Sequence, residues 1–180
     1  MQKAFLSFLL GISVCNFLSA QQSYTSIDAG SKIHFVIKNF GIKTGGDFSS
    51  LKGTIKFDSA KLAASSFNVS VDAKTVNTDN NTRDGHLRKS EYFDVDKFPL
   101  LSFVSTKITQ SSIAGRFYVF GNLTIKAVSK PIEFGFSATA KGKGYFFEGA
   151  FEINRRDFGV GGNSISMADK LTVSLSVLAN

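Results

Sequence analysis

Apolar and polar residues alternate with a period of two along most of the chain, the pattern of strands that bury one face and wet the other. In 66–74, Phe67, Val69, Val71 and Ala73 share one face while Asn68, Ser70, Asp72 and Lys74 share the other. The segment 169–178 repeats this, with Leu171, Val173, Leu175 and Val177 set against Thr172, Ser174 and Ser176. Eight segments have strand character: 32–38, 52–58, 66–74, 100–108, 113–126, 131–140, 144–154 and 169–178. The stretch 100–108 is apolar on both faces, which leaves its orientation open, and Gly121 marks a bulge or bend in 113–126. Turn-forming clusters fall at Gly45-Gly46-Asp47, Gln110-Ser111-Ser112, Ser129-Lys130-Pro131 and Lys141-Gly142-Lys143-Gly144.

Eight antiparallel strands with short connections predict an all-β fold in which the sheet closes on itself, because closure removes edges that would otherwise pair with other chains. The expectation is an eight-stranded up-and-down barrel. Alternation does not say which face points inward. Apolar faces turned in give a soluble, lipocalin-like barrel with an apolar lumen; turned out, they give a small outer-membrane barrel with a polar interior. The crowding of Lys, Glu, Ser and Asn on the polar faces favours the first.

One block breaks the alternation. Over 76–103 the chain reads V-N-T-D-N-N-T-R-D-G-H-L-R-K-S-E-Y-F-D-V-D-K-F-P-L-L-S-F. This predicts a short helix inserted between the third and fourth strands, with Thr78, Asp79 or Asn80 as N-cap and a loop ending at Pro99. The block resembles the signature of the YceI-like polyisoprenoid-binding family: Arg83, Asp84, His86 and Leu87, then Tyr92, Phe93 and Asp94, then Pro99, then Phe103, Ser105 and Thr106. Two further runs match in order, G-N-L-T-I-K at 121–126 with Lys130 and Pro131 after it, and I-N-R-R-D-F-G-V at 153–160. The chain departs from the family pattern at Gly30 and Asn39, where histidines are usual, and at Ala127, where glycine is.

The resemblance implies a soluble periplasmic barrel that binds a long isoprenoid, a quinone or a polyprenyl compound, with that lipid as ligand and no cofactor. Sixteen of the nineteen phenylalanines fall in 21–180, and there is no tryptophan; such rings either simply fill a barrel core or line a lumen for a hydrocarbon, which needs shape and dispersion contacts only. The expected lumen residues are Phe35 and Ile37 in the first strand, Phe67, Val69 and Val71 in the third, and Leu87 and Phe93 in the insertion. Later strands add Phe103, Phe117, Val119, Phe134, Phe136, Phe147 and Phe151, and Phe158, Leu171, Val173 and Leu175 complete the set. A strand of about nine residues spans roughly 30 Å, enough to sheathe several isoprene units. Arg83, His86 and Arg155 are the expected polar contacts for a headgroup at the mouth. The alternative reading of Arg83 and Asp84 is that they tie the helix to neighbouring backbone.

The N-terminus bears on location. Lys3, an apolar run over 4–18 and the small-residue site Leu18-Ser19-Ala20 predict a secretory signal peptide over 1–20, leaving one domain over 21–180. Cys15 is the only cysteine and falls inside that segment, so the predicted domain needs no disulfide framework in a periplasmic or secreted setting. Loss of Lys3 leaves 20 basic against 14 acidic side chains, a charge of +6 that suits anionic partners such as a membrane surface touched in passing. Scattered lysines and core-like phenylalanines argue against nucleic acid, and a homodimer stays open. His34 and His86 show no metal-ligand spacing, and no nucleophile elbow or phosphate loop is present, which argues against an enzyme.

Overall fold

The computed structural model describes residues 22–180, so the predicted signal peptide lies outside the described residues. Nine strands run β1 (Ser23–Asn39), β2 (Ile42–Phe48), β3 (Lys52–Lys56), β4 (Ser66–Asp72), β5 (Leu100–Gln110), β6 (Arg116–Ile125), β7 (Val128–Lys141), β8 (Gly144–Asn154) and β9 (Met167–Ala179), with one helix, α1 (Asn81–Leu87). All neighbours are antiparallel, and β1–β9 pairing closes the sheet. β2 and β3 lie end to end along one flank of β1, pairing with Ile33–Asn39 and with Ser23–Thr25 respectively. The barrel is therefore eight-stranded, with its second strand broken in two. Apolar faces point inward, the polarity of a water-soluble barrel and the reverse of a membrane one.

Three departures from the sequence reading have physical causes. Gly45-Gly46-Asp47 is not a turn but the middle of β2. A Cβ on Gly46 would sit 2.6 Å from both Phe35 Cζ and Thr78 Cγ2, and one on Gly45 would sit 2.9 Å from His34 Cε1. The glycines permit close packing. The turn is at Phe40–Gly41, both at positive φ. Ser129-Lys130-Pro131 likewise lies inside β7, and the turn before it is Lys126–Ala127, at φ 50° and 61°. Pro131 occupies the part of β7 that has no ladder with β8, since that pairing starts at Phe136, and a one-sided strand tolerates proline. Finally, β6 begins at Arg116, because Gly115 at φ 73° still belongs to the preceding turn.

Two bulges explain where alternation failed. The β5–β6 register slips between Ser105 and Lys107, opposite Gly121 and Phe120. Inward positions thus change from Leu101 and Phe103 to Ile108, while Leu100 and Val104 face out. In β1 the register with β9 shifts between Ile27 and Lys32, around Gly30 at φ 91°. The Ser31 hydroxyl donates to Ile27 O and accepts from Leu178 N at 2.9 Å, holding the distortion. Tyr24 and Ser26 are buried on one side of it, and Phe35 and Ile37 face inward on the other.

One end of the barrel is solid. Phe57, 2% exposed, meets the rings of Phe67, Phe117, Phe136, Tyr145 and Phe147 at centroid distances of 5.1 to 6.4 Å. The opposite end carries α1, the loop to Pro99 and the β8–β9 connection. There β7 and β8 part, without ladder pairs between Val128–Gly135 and Ala150–Asn154.

Candidate functional site

Above the Phe57 cluster the lumen holds a cavity of about 210 Å³, open at the α1 end. One water needs about 10–15 Å³ on that measure, so the space is large. Its walls present almost nothing but carbon. Phe67, Phe136 and Phe147 form its floor, since each lines the cavity and also touches Phe57. The roughly 30 Å sleeve expected from strand length is thus stopped short by aromatic packing.

Fifteen of the expected lumen residues line this cavity: Phe35, Ile37, Phe67, Val69, Val71, Leu87, Phe93, Phe103, Phe134, Phe136, Phe147, Phe151, Leu171, Val173 and Leu175. Three do not. Phe117 and Val119 are packed into the solid end, and Phe158 is buried in a second cluster with Leu123, Ile125 and Val160. The sequence reading missed Phe48, Leu51 and Ile55, which belong to the broken second strand and its connection. The alternation of Gly46 with Phe48 was the available signal, hidden by the paired glycines. Met167 and Val160, at the two ends of the β8–β9 connection, also line the cavity.

The candidate headgroup residues separate. Arg83 lies outside the cavity: its Nε donates to Thr78 Oγ1 at 2.7 Å and its Nη2 to Thr78 O at 2.6 Å. Asp84, 3% exposed, accepts from Thr78 N at 2.9 Å and from the Thr78 hydroxyl. Together they fix the segment after β4 against β2, where Asp47 and Asn77 form a two-way backbone bridge. Asn80 is the N-cap of α1, its side chain accepting from Arg83 N at 3.0 Å. His86 is exposed and does not line the cavity. Arg88, which the sequence did not single out, donates to Lys74 O and Val76 O and so fastens α1 from its other end.

Arg155 does reach the cavity wall. It is 3% exposed and starts a 3-10 turn, Arg155–Phe158, that Asn154 caps through Arg156 N. Its guanidinium donates to Ala168 O, Val160 O, Gly162 O and, at 2.9 Å, Asp169 Oδ1. These bonds organise the β8–β9 connection. Part of the mouth is roofed by a second tie: Lys126 Nζ donates to Ser90 O and Gly159 O, and Gly161 N donates to Glu91 O at 2.7 Å. Tyr92 packs beneath, within 3.4 Å of where a Gly161 side chain would stand. Among the described residues no group of three His, Cys, Asp or Glu is placed to hold a metal.

Residues 24–179 match the model of the YceI-like domain. A UPF0312 protein of Yersinia enterocolitica is 35% identical over 135 residues, 71% of this chain and 69% of its own. A UPF0312 protein of Shewanella baltica is 30% identical over 170 residues, 89% of this chain and 88% of its own. Among solved structures, BcnA of Burkholderia cenocepacia superposes with a TM-score of 0.80 at 25% identity, covering 84% of this chain and 98% of that one. A polyisoprenoid binding domain from Saccharophagus degradans superposes with a TM-score of 0.70 at 15% identity, over 87% and 97%.

Proposed function

Because the chain belongs to the YceI-like family, we propose that it binds an isoprenoid or similar long-chain lipid in the barrel cavity, sequestering it or carrying it across the periplasm. The observation that supports this most directly is the cavity wall. A large space walled almost wholly by carbon offers a headgroup nothing to bond with and a hydrocarbon tail extensive contact. The tail enters from the α1 end and stops at the floor of Phe67, Phe136 and Phe147. The headgroup, a quinone ring or the oxygen of a polyprenyl compound, stays at the lip near Arg155 and Tyr92. The solved Saccharophagus neighbour is described as a polyisoprenoid binding domain, which favours this ligand class. The reading is of a binding protein, not an enzyme, exported by the predicted signal peptide.

Native mass spectrometry of the protein purified without detergent from its own host, followed by solvent extraction, tests the reading. A discrete added mass that extracts as an isoprenoid is the expected result. A clean unliganded mass that also refuses added quinones and polyprenyl lipids would make the barrel a structural one with no specific ligand.

A further inference from the structure

The lip beside the cavity carries a surface that the fold does not explain. The β1–β2 hairpin turns through Phe40 and Gly41, both at positive φ, 50° and 76°. Two-residue hairpin turns of this kind favour Asn, Asp or Gly at the first position, where the left-handed conformation is tolerated. Here that position holds a phenylalanine that is 78% exposed. Ile42, the next residue but one, is 71% exposed. Phe40 N donates to Ser166 O at 2.7 Å, which brings the hairpin tip beside the β8–β9 connection and its fully exposed Ile165. Three large, exposed apolar side chains thus stand on two adjoining connections. Ile37 and Met167, just inside them on the chain, line the cavity.

The charges beside this patch point the same way. Lys38 and Lys43 are directly opposed across the hairpin, and both are exposed. Like charges placed opposite each other in a sheet repel. Neither has an ion-pair partner among the described residues, and the nearby Asp47 is engaged by His34 at 2.7 Å and by Lys32. A strained aromatic at the tip, aliphatics beside it and an uncompensated lysine pair behind it each cost stability in water. All three are relieved at an anionic lipid surface, where apolar tips enter the interface and lysines meet phosphate.

We propose that the hairpin tip and the β8–β9 connection form a docking rim that seats the mouth of the barrel on an anionic phospholipid bilayer. The rim stands on its own residues and does not need the cavity to be filled, so it can fail while the cargo reading holds, and the reverse.

The chain has no tryptophan, so Phe40→Trp places a single reporter at the tip. Mixed with vesicles containing phosphatidylglycerol, its emission should shift to the blue, and much less with phosphatidylcholine alone. Raising salt to roughly 0.5 M, or adding Lys38→Glu with Lys43→Glu, should weaken the vesicle-bound fraction several-fold. Ile42→Ser with Ile165→Ser should lower it at least about tenfold with the circular dichroism spectrum unchanged. No shift with the anionic vesicles would overturn the proposal. So would a shift that appears without vesicles and grows with protein concentration, because the patch would then belong to a second copy of the chain.

Discussion

The rings of Phe134 and Phe151 stack with centroids 4.8 Å apart and planes inclined by 29°, across the seam where β7 and β8 have no ladder pairs. Side chains join the two strands here, where the backbone ladder is missing. Phe151→Ala should lower stability by about 2–4 kcal/mol, short of the largest ring-to-Ala losses because Phe151 is only part-buried. It should also speed amide exchange in Val128–Gly135 selectively, which mass-resolved hydrogen exchange would read. Uniform acceleration over all strands would show that the seam is no weaker than the rest of the barrel.

Val173 lines the cavity between Phe35 and Phe151, its neighbours across β1 and β8. Val173→Phe adds a ring to the space a lipid tail would fill. The expected outcome is loss of most bound or added isoprenoid, with a thermal midpoint equal to or above that of the parent, since filling a cavity restores packing contacts. Retained binding would place the ligand somewhere other than this cavity.

Arg83 and Arg155 invite opposite expectations. Arg83→Ala removes two bonds to Thr78 and leaves the Asp84 carboxylate as the helix's side-chain tie to that residue, with Arg88 still holding the other end. Stability should fall by about 1–3 kcal/mol while lipid binding by the folded protein is unchanged. Arg155→Met should instead loosen the β8–β9 connection, which its guanidinium ties to the start of β9, raising the rate of lipid exchange. Lipid-binding titrations of the two variants side by side decide the matter: impaired equilibrium binding in Arg83→Ala would return that residue to the headgroup site.

Burial, with Tyr145 and Asp58 adding to it, raises the Tyr24 hydroxyl above its ordinary value of 10.0. In the unfolded chain the group ionises near that ordinary value, so the folded state resists a deprotonation that the unfolded state accepts. Stability is full below about pH 10 and falls as pH rises through the folded value. Urea midpoints measured from about pH 8 to pH 11 should drop at the alkaline end, and Tyr24→Phe should flatten part of that drop. An identical drop in the variant would assign it to other groups.

Gly46 has no room for a methyl group between Phe35 and Thr78. Gly46→Ala should cost about 1–3 kcal/mol by overpacking, although alanine has the better intrinsic strand propensity. A neutral effect by thermal denaturation would mean that β2 can move off the barrel.

The sequence showed the barrel because period two is a local property that inward packing enforces residue by residue, as along β4 and β9. It did not show β2, because Gly45 and Gly46 have the composition of a turn and their packing role depends on Phe35 and Thr78, which are distant in sequence. It could not orient β5, whose inward set changes parity at the bulge opposite Gly121. The cavity wall was mostly legible, for the same reason as the strands. The polar residues were not, because whether an arginine faces a lumen or grips a loop depends on which carbonyls come near it. Arg83 meets those of Thr78, and Arg155 meets those of a connection whose path the sequence does not fix.

The aromatic floor around Phe57 makes the barrel a gauge of fixed depth. For a tail entering from the α1 end, each added isoprene unit gains contact only until its tip reaches Phe136 and Phe147. Affinity should therefore climb with tail length and then level off, leaving the protein indifferent to how many units follow outside. Such a container would treat a family of homologous lipids, differing only in the number of repeats, as one cargo.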